Sequence, residues 1–180
     1  MTRHIAIAGD LGSGKSTVAR ILCRKLGYSY FSTGTLQRQL AAERGMNTLE
    51  MNYFAETTKS IDEYIDAQLK RIGSTEGGER YVLDSRLAWH FVPGALKIYL
   101  TVQPGIAAQR VLTDTERQNE PSADSLEERG RTLQERQTVE NRRFKNLYGV
   151  DCQNPGNYDA VIDTSCLSAE AVAERIILLL

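Results

Sequence analysis

Five short apolar runs punctuate the chain: HIAIA at 4–8, YSYFS at 28–32, RYVLD at 80–84, LKIYLTV at 96–102 and DAVID at 159–163. Runs of this length, bounded by polar or turn-forming residues, predict buried strands. Between them the apolar residues take a three- and four-residue period, which predicts helices from Lys15 to about Leu26, Thr35 to about Arg44, Thr48 to Lys59 and Ile61 to Ile72. The last of these carries Ile61, Ile65, Leu69 and Ile72 on one face. Pro104 is placed to start another helix, a long polar helix is predicted over Ser125 to Lys145, and Ser168 is the expected N-cap of a closing helix. Alternation of this kind predicts a parallel sheet wrapped on both faces by helices. The polar NEPSADS at 119–125 is the segment expected to move, and the terminal IILLL is expected to pack into the core, being far shorter than the roughly 18 apolar residues of a membrane span.

Composition narrows the picture without redirecting it. At 180 residues the chain is expected to form one domain, large enough to bury a core without metals or bridges. Lys plus Arg number 22 against 23 acidic residues, so net charge argues for neither nucleic acid nor membrane, and any phosphate binding must come from local basic clusters. Cys23, Cys152 and Cys166 are scattered and odd in number, which suits reduced thiols in a cytoplasmic protein, with Cys23 as buried filler. His4 and His90 lack acidic or cysteine neighbours at ligand spacing, and Tyr53, Phe54, Tyr64, Trp89 and Phe91 are expected in the core.

The strongest chemical signal is GDLGSGKST, Gly9 to Thr17, between the first strand and the first helix. Gly9 to Ser16 follows the G-x-x-x-x-G-K-S spacing of a phosphate-binding loop. In that context Gly9, Asp10, Leu11, Gly12, Ser13, Gly14, Lys15, Ser16 and Thr17 are the expected ATP-binding residues. The glycines let backbone amides approach phosphate oxygens, Lys15 reaches the terminal phosphates, and Ser16 offers its hydroxyl to Mg2+. The D-x-x-G and N-K-x-D motifs of a GTPase are missing from the sequence, so an acceptor other than water is expected.

An anionic acceptor requires cations. Arg38, after the second strand, and Arg86, just past the third, fall at the C-terminal edge of the sheet, where open parallel sheets bind ligands. Arg136, Glu140 and Arg143 share one face of the long polar helix, whose alternative is a solvated surface laced with ion pairs. Arg117 and Arg129 flank NEPSADS and are candidates for a closing lid, with surface charge as the alternative. Asp84, ending the third strand, is open to three readings: a ligand for Mg2+, a base acting on a hydroxyl acceptor, or a turn former. A nucleoside monophosphate arrives largely ionised and needs no base.

Together GDLGSGKSTVA, FSTGTLQRQLAAERGMN, IDEYIDAQLKRI, VLDSRLAW, LKIYLTV, ERQTVENRRFKNLYGVD and YDAVIDTS make the chain resemble the cytidylate kinases, in particular their compact branch. The resemblance implies an α/β fold of the P-loop NTPase three-layer type, with five parallel strands. It also implies an acceptor-binding insertion at about 35–75 and a lid at about 112–140, within one domain spanning 1–180. It implies that Thr33, Arg38, Arg86, Arg136, Glu140 and Arg143 face the acceptor, and that Lys15, Arg86, Arg136 and Arg143 serve transfer from ATP to CMP or dCMP. Apart from the resemblance, Ser16 is the expected Mg2+ ligand and Asp84 the candidate second one. Where larger family members carry a cytosine-reading aspartate after the arginine, this chain has Leu87, and Ser85 replaces their glycine.

The expected activity is Mg2+-dependent transfer from ATP to CMP or dCMP by a monomer. Two alternatives are a P-loop kinase acting on another nucleotide or a small hydroxyl-bearing metabolite, and a non-catalytic ATP-sensing module.

Overall fold

The computed structural model describes residues 3–74, 78–114 and 125–180. Five strands, β1 (Ile5–Gly9), β2 (Ser29–Ser32), β3 (Tyr81–Asp84), β4 (Leu96–Thr101) and β5 (Ala160–Asp163), form one parallel sheet in the order β2-β3-β1-β4-β5. Gly9, Ser32, Asp84, Thr101 and Asp163 end their strands at the same edge, since Ile7 pairs with Asp84, Asp84 with Ser32, Gly9 with Leu100 and Thr101 with Asp163. Among the described residues eight helices connect or cover the strands: α1 (Lys15–Leu26), α2 (Thr33–Glu43), α3 (Thr48–Thr57), α4 (Lys59–Gly73), α5 (Ala88–Phe91), α6 (Pro104–Thr113), α7 (Leu126–Tyr148) and α8 (Ala169–Ile177). None is long and apolar enough to cross a membrane among the described residues.

The sheet is covered on both faces. Val18, Ile21 and Leu22 of α1 and Val172, Ala173 and Ile176 of α8 pack with Ile5, Ile7, Val82, Ile98 and Leu100. Leu69 and Ile72 of α4, with Ala88, Val92 and Ala95, pack with Ala6 and Leu83 on the opposite face. The remaining apolar residues of α4, Ile61 and Ile65, instead join Ala41, Met51 and Ala55 in a satellite core of α2, α3 and α4. One apolar stripe thus fastens two layers, and the satellite core falls within the stretch expected to bind the acceptor.

Several expectations need adjusting. Ser32 ends β2 and also caps α2, its hydroxyl accepting the Thr35 amide at 3.2 Å, so the helix starts two residues earlier than the period suggested. Ile176 of the terminal segment is buried, but Leu178, Leu179 and Leu180 are exposed. Tyr53 and Tyr64 lie on the surface, and Cys23 is half-buried at the core's edge. Ser168 and Pro104 occupy the expected helix starts.

Gly9 and Gly12 owe their place to packing. A Cβ on Gly9 would stand 2.2 Å from the Leu100 carbonyl oxygen, and one on Gly12 would stand 2.8 Å from that of Ala107. The loop is therefore clamped against β4 and α6 through the space those side chains would take, whereas the same position on Gly14 meets nothing. Because Gly9 also has φ 147°, Gly9→Ala is expected to destabilise the protein by about 3 kcal/mol or more. Urea midpoints of the two proteins check this.

Candidate functional site

The loop between β1 and α1 is tied down from several directions. The Asp10 carboxylate accepts hydrogen bonds from the Tyr99 hydroxyl at 2.9 Å, the Val102 amide at 3.2 Å and Gln137 Nε2 at 3.2 Å. Its carboxylate is thus a structural anchor, linking the loop to β4 and α7. The Thr164 hydroxyl donates to the Ser13 carbonyl at 3.1 Å, and the Ser13 hydroxyl to the Asp10 carbonyl at 2.9 Å. Lys15 Nζ folds back on the Gly9 and Asp10 carbonyls, at 3.0 and 2.6 Å. Leu11 packs with Val111 and Leu133, joining the loop to α6 and α7.

A cavity of about 610 Å³ opens at the C-terminal edge of the sheet and unites both halves of the expected site. Lys15, Ser16 and Thr17 line it from the loop and α1, Thr33 and Arg38 from α2, Asp84 and Arg86 from the end of β3, and Arg136, Glu140 and Arg143 from α7. Gly12, Ser13 and Gly14 line a neighbouring cavity of about 310 Å³, shared with Arg110, Thr164, Leu167 and Val172. Ser16 and Thr17 border both.

The polar face of α7 is not a solvated surface. Arg136, Glu140 and Arg143 are each at most 5% exposed. Glu140 lies between guanidinium groups: its Oε2 is 2.7 Å from Arg86 Nη1, and its Oε1 is 2.9 Å from Arg136 Nε and 3.2 Å from Asn52 Nδ2. Burial alone would raise the Glu140 pKa. The positive charges of Arg86, Arg136 and Arg143 outweigh that effect and hold the carboxyl down at about 2. Arg143 Nη1 donates to the side chain and carbonyl of Asn52, at 2.8 and 3.2 Å. One carboxylate thus gathers cations from two separate elements and leaves the cluster net positive.

Arg86 holds the clearest unmet valence. Its Nη1 pairs with Glu140, while Nη2 is buried and has no hydrogen-bond partner. A buried guanidinium N–H left unpaired is costly, so a cavity-lining arginine in this state suits an anionic ligand. At the strand end Asp84 accepts from the Tyr30 hydroxyl at 2.9 Å and from that of Ser32 at 3.5 Å.

Mg2+ prefers oxygen donors and keeps several waters, binding through one or two protein groups together with substrate phosphates. The Ser16 hydroxyl and the Asp84 carboxylate border one cavity and supply that kind of donor set. Among the described residues no group of three or more His, Cys, Asp and Glu side chains is placed to hold an ion. The fit is thus to a phosphate-borne magnesium ion rather than to a metal held by the protein alone.

Some cavity residues escaped the sequence reading. Arg20 and Arg24 line the cavity one and two turns beyond Ser16 on α1, a spacing that could have marked them. Asp62 and Asp66 also line it, each directly following an apolar residue of the α4 stripe. Asn52 is fully buried on α3, and no periodicity distinguishes it. Arg129 is buried on α7 and does not line the large cavity. Arg117 and most of NEPSADS lie outside the described residues.

Comparison with known proteins gives this geometry a context. A family model described as an AAA domain matches residues 5–143. A cytidylate kinase of Pyrobaculum neutrophilum is 36% identical over 165 residues, covering 91% of this chain and 85% of that protein. A cytidylate kinase of Sulfurisphaera tokodaii is 35% identical over 174 residues, with 96% and 92% covered. Among solved structures, shikimate kinase from Acinetobacter baumannii in complex with shikimate superposes with a TM-score of 0.62 at 17% identity, covering 99% of this chain and 93% of that one. That last likeness concerns the fold alone.

Proposed function

The chain belongs to the cytidylate kinase family and is a nucleoside monophosphate kinase, and from that premise we propose that it transfers the terminal phosphoryl group of ATP to CMP or dCMP in a Mg2+-dependent reaction. The observation that carries the acceptor assignment is the buried, unpartnered Nη2 of Arg86, in a cavity that also holds Lys15 of the loop.

In this reading the loop amides and Lys15 hold the donor phosphates. Lys15 gives up the Gly9 and Asp10 carbonyls to reach them, a short exchange of neutral acceptors for charged ones. The adenosine part occupies the neighbouring cavity beside Gly12 and Thr164. Arg38 and Arg86 take the acceptor phosphate, with Thr33 beside them. Arg136 and Arg143 stabilise the charge that spreads over the transferring group, with Glu140 holding the Arg136 guanidinium in place and Asn52 that of Arg143. Mg2+ would be held by Ser16 and Asp84 and would neutralise charge on the donor phosphates. The acceptor oxygen is already ionised near neutral pH, so no general base is required and Asp84 is left to the metal. Positioning and charge supply most of the rate enhancement. A lid over about 112–140 closing on both substrates, a single domain, and a cytoplasmic monomer complete the proposal.

Coupled ATP turnover across the common nucleoside monophosphates, with nucleosides and polyols as controls, tests this. CMP and dCMP are expected to be phosphorylated far faster than the controls, and equal rates with a polyol would overturn the assignment. Arg38 lines the cavity from α2 and its Nη2 donates to the Thr35 hydroxyl at 3.0 Å. Arg38→Ala is expected to raise the KM for the monophosphate at least about tenfold while leaving that for ATP within about twofold. Steady-state titration of each substrate separates the two effects.

A further inference from the structure

The acceptor cavity also has apolar walls and two carboxylates. Ile65, Leu69, Leu87 and Phe144 line it, together with Asp62 and Asp66. Leu87 is 4% exposed and offers no polar atom at the position where the family resemblance places a cytosine-reading aspartate. If the base is read by polar contacts, they must come from another element.

Asp62 and Asp66 are 4% and 5% exposed and stand one turn apart on α4. Neither is fully satisfied by the protein. Asp62 Oδ2 forms an ion pair with Arg143 Nε at 3.2 Å, yet neither atom makes a hydrogen bond. Asp66 Oδ2 accepts the Tyr148 hydroxyl. A carboxylate has about four acceptor sites, so this pair retains capacity for donors from a ligand. Burial pushes the Asp62 carboxyl up to about 6 against the opposing Arg143 charge, and raises Asp66 despite its bond from Tyr148.

Resting on the acceptor assignment above, we infer that Asp62 and Asp66 form the base-reading end of the pocket, their carboxylates accepting the two hydrogens of an exocyclic amine. Two acceptors each about 2.9 Å from one amine nitrogen stand about 5 Å apart, and side chains at i and i+4 of a helix have Cβ atoms roughly 5–6 Å apart. The 4-amino group of cytosine meets that requirement. Uracil presents a carbonyl oxygen at the same place, acceptor against acceptor, with two buried carboxylates left unsatisfied. Discrimination of this kind is strong because the wrong base leaves polar groups unpaired.

The test measures initial rates with CMP, UMP, AMP, GMP and pyrimidin-2-one riboside 5′-monophosphate, which is CMP without its amino group. The wild-type protein is expected to favour CMP over both UMP and the deamino analogue by about 100-fold in kcat/KM. Asp66→Asn and Asp62→Asn should each cut the CMP-to-UMP ratio at least about tenfold, mainly through the KM for CMP, because an amide can donate to the uracil carbonyl. Equal use of CMP and its deamino analogue by the wild-type protein would overturn the inference, and so would an unchanged CMP-to-UMP ratio in both folded variants. The analogue comparison needs no substitution, so misfolding of a variant leaves the inference open to refutation. If AMP outruns CMP while GMP and UMP are both rejected, the carboxylate reading stands and the cytidine assignment fails. If CMP is preferred over UMP and neither substitution nor the deamino analogue alters the rate, the outcome is reversed.

Discussion

A Lys15→Met protein is expected to fold and to lose ATP-dependent turnover, with kcat falling at least about 10³-fold. The size follows from the position of the ammonium group at the meeting point of loop and cavity. Among the described residues no other lysine lines either cavity. Its contribution to folding is smaller: Nζ donates to two carbonyls at 3.0 and 2.6 Å from a partly buried side chain, and losing them costs about 1–2 kcal/mol. A coupled assay beside a thermal melt separates the two effects. Residual turnover within tenfold of wild type in a folded protein would refute the role given to Lys15.

The second large effect is expected at Glu140. Replacing it by Gln leaves Arg86 and Arg136 without their shared counter-charge and beside the positive Arg143, and breaking a buried pair in this way costs about 3–5 kcal/mol. Activity should fall as well, because the guanidiniums lose the group that fixes their positions. The same reasoning gives a signature that a generic core defect would lack. Millimolar phosphate should raise the melting temperature of Glu140→Gln more than that of the wild type, since an anion bound only to the folded state can replace the missing charge. The pH dependence has a definite sign. The Glu140 pKa is depressed in the folded protein to about 2 from 4.5, so its stabilisation is fully present above pH 4.5 and is lost as pH falls toward 2. The stability difference between wild type and Glu140→Gln should therefore narrow across that window, as chemical denaturation at a series of pH values would show.

Much of the site was legible because it depends on regular elements. The first helix was expected and found over Lys15–Leu26, and a seven-residue spacing sufficed to put Arg136, Glu140 and Arg143 on one face of α7. Whether that face met water or a cavity was not legible. An i,i+4 Arg–Glu pair looks the same in either setting, and the choice depends on Arg86 arriving from β3 and Asn52 from α3. The glycines were legible as a phosphate-loop signature, but the reason for two of them was not: Leu100 and Ala107, distant in sequence, occupy the space a side chain would need. Asp62 and Asp66 were hidden for a related reason. On a helical wheel they border an apolar stripe and pass for its polar margin, while the structure buries both. At the C-terminus IILLL looked like core, and only the packing shows that the chain leaves the sheet after Ile176 and Ile177.

The central claim is that two adjoining cavities, both bordered by Ser16 and Thr17, hold a nucleoside triphosphate and a monophosphate end to end, with the loop lysine between them and the guanidinium cluster on the acceptor side. Calorimetric titration with a bisubstrate analogue, adenosine and cytidine joined through their 5′ positions by five phosphates, tests it most directly. Linking two occupied subsites makes the second binding event intramolecular, so the analogue is expected to bind at least about 100-fold more tightly than ATP or CMP alone, with one site per chain. An affinity no better than that of ATP would contradict the account.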